Sequence, residues 1–171
     1  KGLELAAHNI HANPPRALCY AVSNRGACHL SGDNIADQNF MAALDSLGLC
    51  FFASNFNNWM IPGIGKGLIA DLLTAITGLE WDADRLTEVG RRVFTLEKMF
   101  NYRQGFRRED DQLPDRFFAE PLTKGKEKGA KLDPKAFKQM MDEFYADRGW
   151  NLETTRPADQ TLLEVGLGFT I

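Results

Sequence analysis

The sequence predicts an all-α fold, an irregular helical domain of about five helices joined by long loops. Three observations carry that prediction. Apolar residues recur at spacings of three and four over several stretches, the period of a helix face. Start and stop residues frame those stretches, with Asp before them and Gly after them. No alternation of apolar and polar residues runs long enough for a half-buried strand, and there is no internal repeat.

Residues 1–36 read as irregular, with Asn13-Pro14-Pro15 as a breaker and Ser31-Gly32-Asp33-Asn34 as a loop. Between them, Leu18-Cys19-Tyr20-Ala21-Val22 is too short for periodicity to decide. The first helix is expected over Asp37 to Leu49, with Phe40, Leu44 and Leu47 on one face, Asp45 off it and Gly48 breaking it. A polar-aromatic connector follows, Asn55-Phe56-Asn57-Asn58-Trp59, closed by Pro62 and Gly63. The second helix spans Lys66 to Thr77, with Leu68, Ile69, Leu72, Leu73 and Ile76 inward and Gly78 as its stop. The third and longest takes Asp82 as N-cap and repeats Leu86, Val89, Val93, Leu96 and Phe100.

Residues 103–131 are dense in charge. Arg103, Arg107, Arg108 and Arg116 with Asp110 and Asp111 suit an ion-paired knot that pins a long loop, or an interface with another subunit. The lysine-rich loop Lys124-Gly125-Lys126-Glu127-Lys128 reads as solvated. A fourth helix starts at Asp133 and Pro134 and buries Phe137, Met140, Met141, Phe144 and Tyr145 before Gly149 ends it. A short last helix, Ala158 to Val165, leads to the apolar tail Leu167 to Ile171.

The 171 residues suffice for a single domain, 1–171, with a real core. A net charge of −3 makes no electrostatic case for nucleic acid or an anionic membrane, so neither is expected as a partner. No stretch approaches the ~18 apolar residues of a membrane span, and the start lacks the basic and apolar regions of a signal peptide. Lys1-Gly2-Leu3-Glu4, with no initiator Met, reads like the middle of a longer chain. Three cysteines make no disulfide framework, which favours a reducing cytoplasm.

Chemistry concentrates in Asp45-Ser46-Leu47-Gly48-Leu49-Cys50. A carboxylate, a close-approach glycine and a thiol within six residues suit a polar cofactor beside a metal centre. Each residue also has an ordinary reading. Cys50 could be a small apolar residue at a helix end, and Asp45 a solvated helix residue. His29, in a glycine-flanked loop, belongs to the residue type that shuttles protons near neutral pH, although a lone histidine is more often structural. Arg25 could sit on the surface without a role, and Cys19 and Cys28 read as structural. A zinc site from Cys19, Cys28, His29 and Cys50 lacks the close cysteine pair. A c-type haem fails because Arg25 stands where its first cysteine belongs.

Asp45 to Cys50 resembles the D-x-x-G-L-C motif of the tungsten-containing aldehyde:ferredoxin oxidoreductase family. Two further segments are similar to that family, Tyr20-Ala21-Val22-Ser23-Asn24-Arg25-Gly26-Ala27-Cys28-His29 and the run from Asn101 to Pro114. The resemblance covers nearly the whole chain and matches the C-terminal helical domain of those enzymes, with the N-terminal pterin-binding and middle domains absent. By it, residues 18–22 line a cofactor pocket as a buried loop or short helix.

The resemblance implies roles. Cys50 becomes one ligand of a [4Fe–4S] cluster shared with an absent domain, a soft anionic donor suited to iron. Asp45 becomes a ligand of a tungstopterin or molybdopterin, accepting N–H bonds from the heterocycle. Leu49 offers it backbone groups, and Gly48 leaves room for the approach. Arg25 binds pterin phosphate or carbonyl oxygens, and His29 handles the proton of aldehyde oxidation. The implied reaction oxidises aldehydes to carboxylic acids and passes electrons to ferredoxin, with the isolated domain inactive. The segment from Arg103 to Arg116 is then an alternative interface for ferredoxin, and a basic rim such as the Lys124–Lys128 loop attracts acidic carriers. Two alternatives stay open, a relative acting on aromatic acyl thioesters and a non-catalytic helical interaction module. Self-association is left open as well.

Overall fold

A computed structural model describes residues 5–54 and 65–171. Among them the predicted all-α class holds: helices and 3-10 turns carry the fold, and one isolated bridge joins Trp150 to Pro157. The connector expected over residues 55–63 lies outside the described residues.

The expected breaker at Asn13-Pro14-Pro15 is instead a helix start. Asn13 caps helix α1 (Pro14–Val22) by accepting the Arg16 N–H, and both prolines occupy the first turn. There the missing proline N–H groups cost nothing, because first-turn donors lack intrahelical partners. Helix α2 (Ile35–Ser46) begins two residues earlier than predicted and ends three residues before the predicted Leu49; its cap is Asn34, whose side chain accepts from the Asp37 N–H. A one-turn helix α3 (Phe51–Ser54) follows. Helix α4 (Lys66–Thr77) matches its predicted bounds, and helix α5 (Ala83–Arg103) carries the predicted Asp82 cap. After the one-turn α6 (Arg116–Ala119), helices α7 (Pro134–Asp147) and α8 (Asp159–Glu164) complete the set.

The helix faces differ from the periodicity reading at two places. On α4 only Ile69 and Ala70 are buried, while Leu68, Leu72 and Ile76 stand exposed. On α5 the buried residues are Leu86, Gly90, Phe94, Thr95, Lys98 and Met99, with Leu96 and Phe100 outside. On α5 the cause lies in its crossing with α2. A Cβ at Gly90 would sit 1.7 Å from the Asn39 carbonyl oxygen, so the two backbones touch there. Gly90 therefore sets the closest approach on the packed face, a position that an apolar count passes over.

The main core joins α1, α5 and α7 around Trp150, whose ring stacks on Tyr145 and Phe94 and meets Phe144 edge-on. Two charge systems are buried against it. Arg148, at the C-terminal end of α7, donates to Asn39 Oδ1 and Gln38 Oε1 of α2, both at 2.6 Å, and lies over the Phe94 ring. Burial pushes this guanidinium down to about 9, so it keeps its charge at neutral pH. Lys98 pairs with Asp111 at 3.0 Å, and Asp111 also accepts from the Tyr145 hydroxyl at 2.8 Å.

Of the ion-paired knot expected among Arg103, Arg107, Arg108, Arg116, Asp110 and Asp111, several members reach other elements. Asp111 turns inward to Lys98, Arg108 pairs with Asp142 of α7, and Arg103 donates to the Thr170 carbonyl. The loop is pinned to its neighbours and also to itself, since Asp110 accepts the Arg107 N–H and Arg107 donates to the Tyr102 and Phe106 carbonyls.

Candidate functional site

The last turn of α2 sets the geometry. Leu49 N–H returns to the Leu44 carbonyl and Gly48 N–H to Asp45, both at 3.1 Å, which is the pairing of a Schellman cap. That cap needs a left-handed residue, and Gly48 has φ +68° with open space where a Cβ would be. Backbone conformation explains the glycine. The turn throws Leu49 and Cys50 outward, and every residue from Asp45 to Cys50 is exposed.

Arg25 meets this turn from the loop after α1. Its Nη1 donates to Asp45 Oδ2 at 2.6 Å, and its Nε to Ser31 Oγ at 3.2 Å. Ser31 in turn shares a 2.8 Å hydrogen bond with Ser23. Asn24 anchors the loop to α5 by donating to the Phe94 carbonyl at 2.9 Å and to Glu97 at 3.2 Å. Asn101 closes the anchor on the Asn24 carbonyl. Desolvation raises the Glu97 carboxyl above the usual range, and Asp45 adds to this, while Asn24 and Arg25 oppose it. The result is a guanidinium held beside two carboxylates at a rim. Below it lies a cavity of about 20 Å³ bordered by Arg25, Ser31, Gln38, Asp45 and Glu97, room for one water. Beside it runs an open groove of about 260 Å³ walled by Arg25, Leu96, Glu97 and Phe100.

His29 begins a 3-10 turn that ends at Ser31. Its ring packs edge-on against His8, centroids 4.7 Å apart, and its Nδ1 is buried without a hydrogen-bond partner among the described residues. Burial first, then the charges of His8 and Arg16, lower its proton affinity, with Asp33 opposing. Arg16 bonds the His29 carbonyl at 3.2 Å and pairs with Asp33 at 2.6 Å.

Of the six candidates, Asp45, Gly48, Leu49 and Cys50 share one exposed turn, and Arg25 joins them through an ion pair. His29 stands apart from them, on the 3-10 turn whose Ser31 accepts from Arg25. Reasoning from sequence missed Asn24, Ser31, Glu97 and His8. An Asn two residues past a helix end is a common cap or loop anchor, which was the one signal available. Cys19 is buried, its thiol pushed up to about 12, chiefly by desolvation. No group of three or more His, Cys, Asp or Glu among the described residues could hold a metal ion by itself.

Residues 1–167 match the family described as aldehyde ferredoxin oxidoreductase, domains 2 and 3. The chain belongs to that oxidoreductase family. Curated relatives in it are tungsten-containing aldehyde ferredoxin oxidoreductases. The one from Pyrococcus furiosus is 29% identical over 98% of this chain and 30% of its own length. The one from Thermococcus kodakarensis is 27% identical over 94% of this chain and 29% of its own. This chain thus spans about 30% of those relatives. A solved structure also resembles it, the active-site complex BamBC of benzoyl coenzyme A reductase with 1,5-dienoyl-CoA. Its TM-score is 0.64 at 27% identity, covering 80% of this chain and 19% of that one. Membership of this family agrees with the resemblance of the Asp45–Cys50 turn. No described helix is long and apolar enough to cross a membrane.

Proposed function

We propose that this chain is the helical part of a tungsten or molybdenum pterin oxidoreductase, supplying one wall of its cofactor site. The observation that carries the reading is the Arg25–Asp45 pair at 2.6 Å on the exposed turn that ends in Cys50. The residues fit such a group. The rim offers a carboxylate acceptor and guanidinium donors to a polar heterocycle, and a soft sulfur donor stands five residues on. Asp45 would hold the pterin through N–H bonds, with Leu49 backbone groups beside it, and Arg25 would take its phosphate or carbonyl oxygens. Cys50 would contribute one thiolate to a [4Fe–4S] cluster whose other ligands come from outside this chain.

When bound, the metal and cluster supply the two-electron chemistry of converting an aldehyde and water to a carboxylic acid, two protons and two electrons. The chain's own part is binding, orientation and the proton. His29, kept neutral by burial, is able to accept a proton at a ring nitrogen. Ferredoxin, a soluble carrier, would receive the electrons in the cytoplasm. A second reading is favoured by the likeness to benzoyl coenzyme A reductase, namely reduction of an aromatic acyl thioester. The groove walled by Leu96 and Phe100 is apolar enough for either substrate class.

The test is metal analysis of the intact protein purified without oxygen. Wild type is expected to hold about one tungsten or molybdenum and about four irons per chain. Cys50→Ser should lower iron selectively, and Asp45→Ala should lower the pterin metal first. A wild-type protein that holds neither, and gains neither on reconstitution, would leave the interaction-module reading in its place. Turnover of an aldehyde against an aromatic acyl thioester then separates the two enzymatic readings.

A further inference from the structure

The first eight described residues of the N-terminal segment bring a second histidine onto His29. Tyr20 donates its hydroxyl proton to the Ala6 carbonyl, which can only accept. Its oxygen therefore remains to accept from His8 Nδ1, 3.4 Å away. This order fixes neutral His8 with its proton on Nδ1 and leaves Nε2 as the basic nitrogen. Tyr20 is buried in the main core, so the hydroxyl that orients His8 is itself rigidly held. His8 is exposed while His29 is half-buried. The charged and titratable groups around the two rings are Arg16, Tyr20 and Asp33, and Arg16 is already paired with Asp33.

We propose that His8 is a positioning residue for His29: the two rings hold a single proton between them, and Tyr20 orients the outer one. The inference rests on the reading of His29 as the proton-handling group. Two imidazoles at 4.7 Å repel when both are charged, so their titrations are coupled. A proton on His8 suppresses one on His29, which keeps His29 ready as an acceptor. The exposed His8 is the solvent-facing member of the pair, on the side from which an onward transfer would leave. Asp33 is the acidic group that opposes this repulsion, but it shares a carboxylate oxygen with Arg16, whose own charge adds to the repulsion.

The test is a histidine titration in the intact protein, selectively labelled in histidine, with wild type, His8→Gln and His29→Gln compared. The differences assign the His8 and His29 signals within a chain region that has three histidines. Wild type should give two steps on each of the two assigned signals, the signature of coupling. In His8→Gln the His29 signal should titrate in one step, with its midpoint moved upward. The acid limb of kcat/KM should move with it, and the rate below that midpoint should fall roughly threefold. His8→Gln keeps an amide for Tyr20, so loss of folding would not mimic this result. An unmoved His29 midpoint, with His29→Gln still inactive, would overturn the coupling alone. Full activity in His29→Gln would instead remove the reading of His29 on which it rests.

Discussion

Single residues decide whether the buried charges are tolerated. Lys98 and Asp111 have side chains only 4% and 2% exposed, and each compensates the other. Asp111→Ala would leave the Lys98 ammonium buried without its carboxylate and the Tyr145 hydroxyl without this acceptor. A loss of about 3–5 kcal/mol is expected, as for other broken buried pairs, and urea unfolding would measure it. Replacing both charges together, by Lys98→Met with Asp111→Leu, should recover much of that loss, because the desolvation cost disappears with the ions.

His29 makes the pH prediction at the same scale. Its folded-state affinity for a proton lies below the ordinary value of 6.5, mainly through burial. Between the lowered value and 6.5 the unfolded chain binds more protons than the folded one, so stability there rises with pH. Stability should therefore fall as pH drops below 6.5, and His29→Gln should flatten that slope. Thermal melts at closely spaced pH values would show it, and an unchanged slope would count against the lowered affinity.

Elements are placed by contacts that apolar periodicity does not encode. Gly90 allows α5 to lie against the Asn39 carbonyl of α2, and any side chain there must push the helices apart. Gly90→Ala is expected to cost about 3 kcal/mol or more despite the better helix propensity of Ala, since overpacking outweighs a gain of about 1 kcal/mol. Because α2 carries Asp45, the same variant should, on the function proposed above, also weaken retention of a pterin metal. The opposite holds on α4, where Ile76 is 80% exposed. Ile76→Lys should change stability by no more than about 0.5 kcal/mol. Differential scanning of both variants would test whether the packed faces are assigned correctly.

These two helices also show what was legible beforehand. The bounds of α4, the Asp82 and Asp133 caps and the Gly48 stop follow from backbone hydrogen bonding that a few residues advertise locally. The α5 face was misread because its contact runs through Gly90, Thr95 and Lys98, residues that hydropathy scores as neutral or polar. Asn13-Pro14-Pro15 was misread because proline ends a helix interior but suits a first turn. At the site, the motif exposed Asp45 and Cys50 to inspection. The Arg25–Asp45 pair spans twenty residues of sequence and needed the fold to bring its partners together.

At the scale of the whole molecule, the described chain has the character of a partial site. A [4Fe–4S] cluster takes four thiolates, and the three cysteines here are not equivalent. Cys19 is buried with its thiol pushed up to about 12, Cys28 is half-buried, and Cys50 is exposed on the turn beyond α2. One accessible thiol cannot close a cluster, whereas the core around Trp150 is packed from the chain's own apolar side chains. Folding and cofactor assembly should therefore separate. The 171-residue chain expressed by itself is expected to be helical by circular dichroism, to melt cooperatively, and to hold far fewer than four irons after anaerobic reconstitution. Aldehyde oxidation should be absent from it. A full cluster on this chain alone would mean that Cys19 and Cys28 leave their present surroundings to serve as ligands, and the core would then have to open to release them.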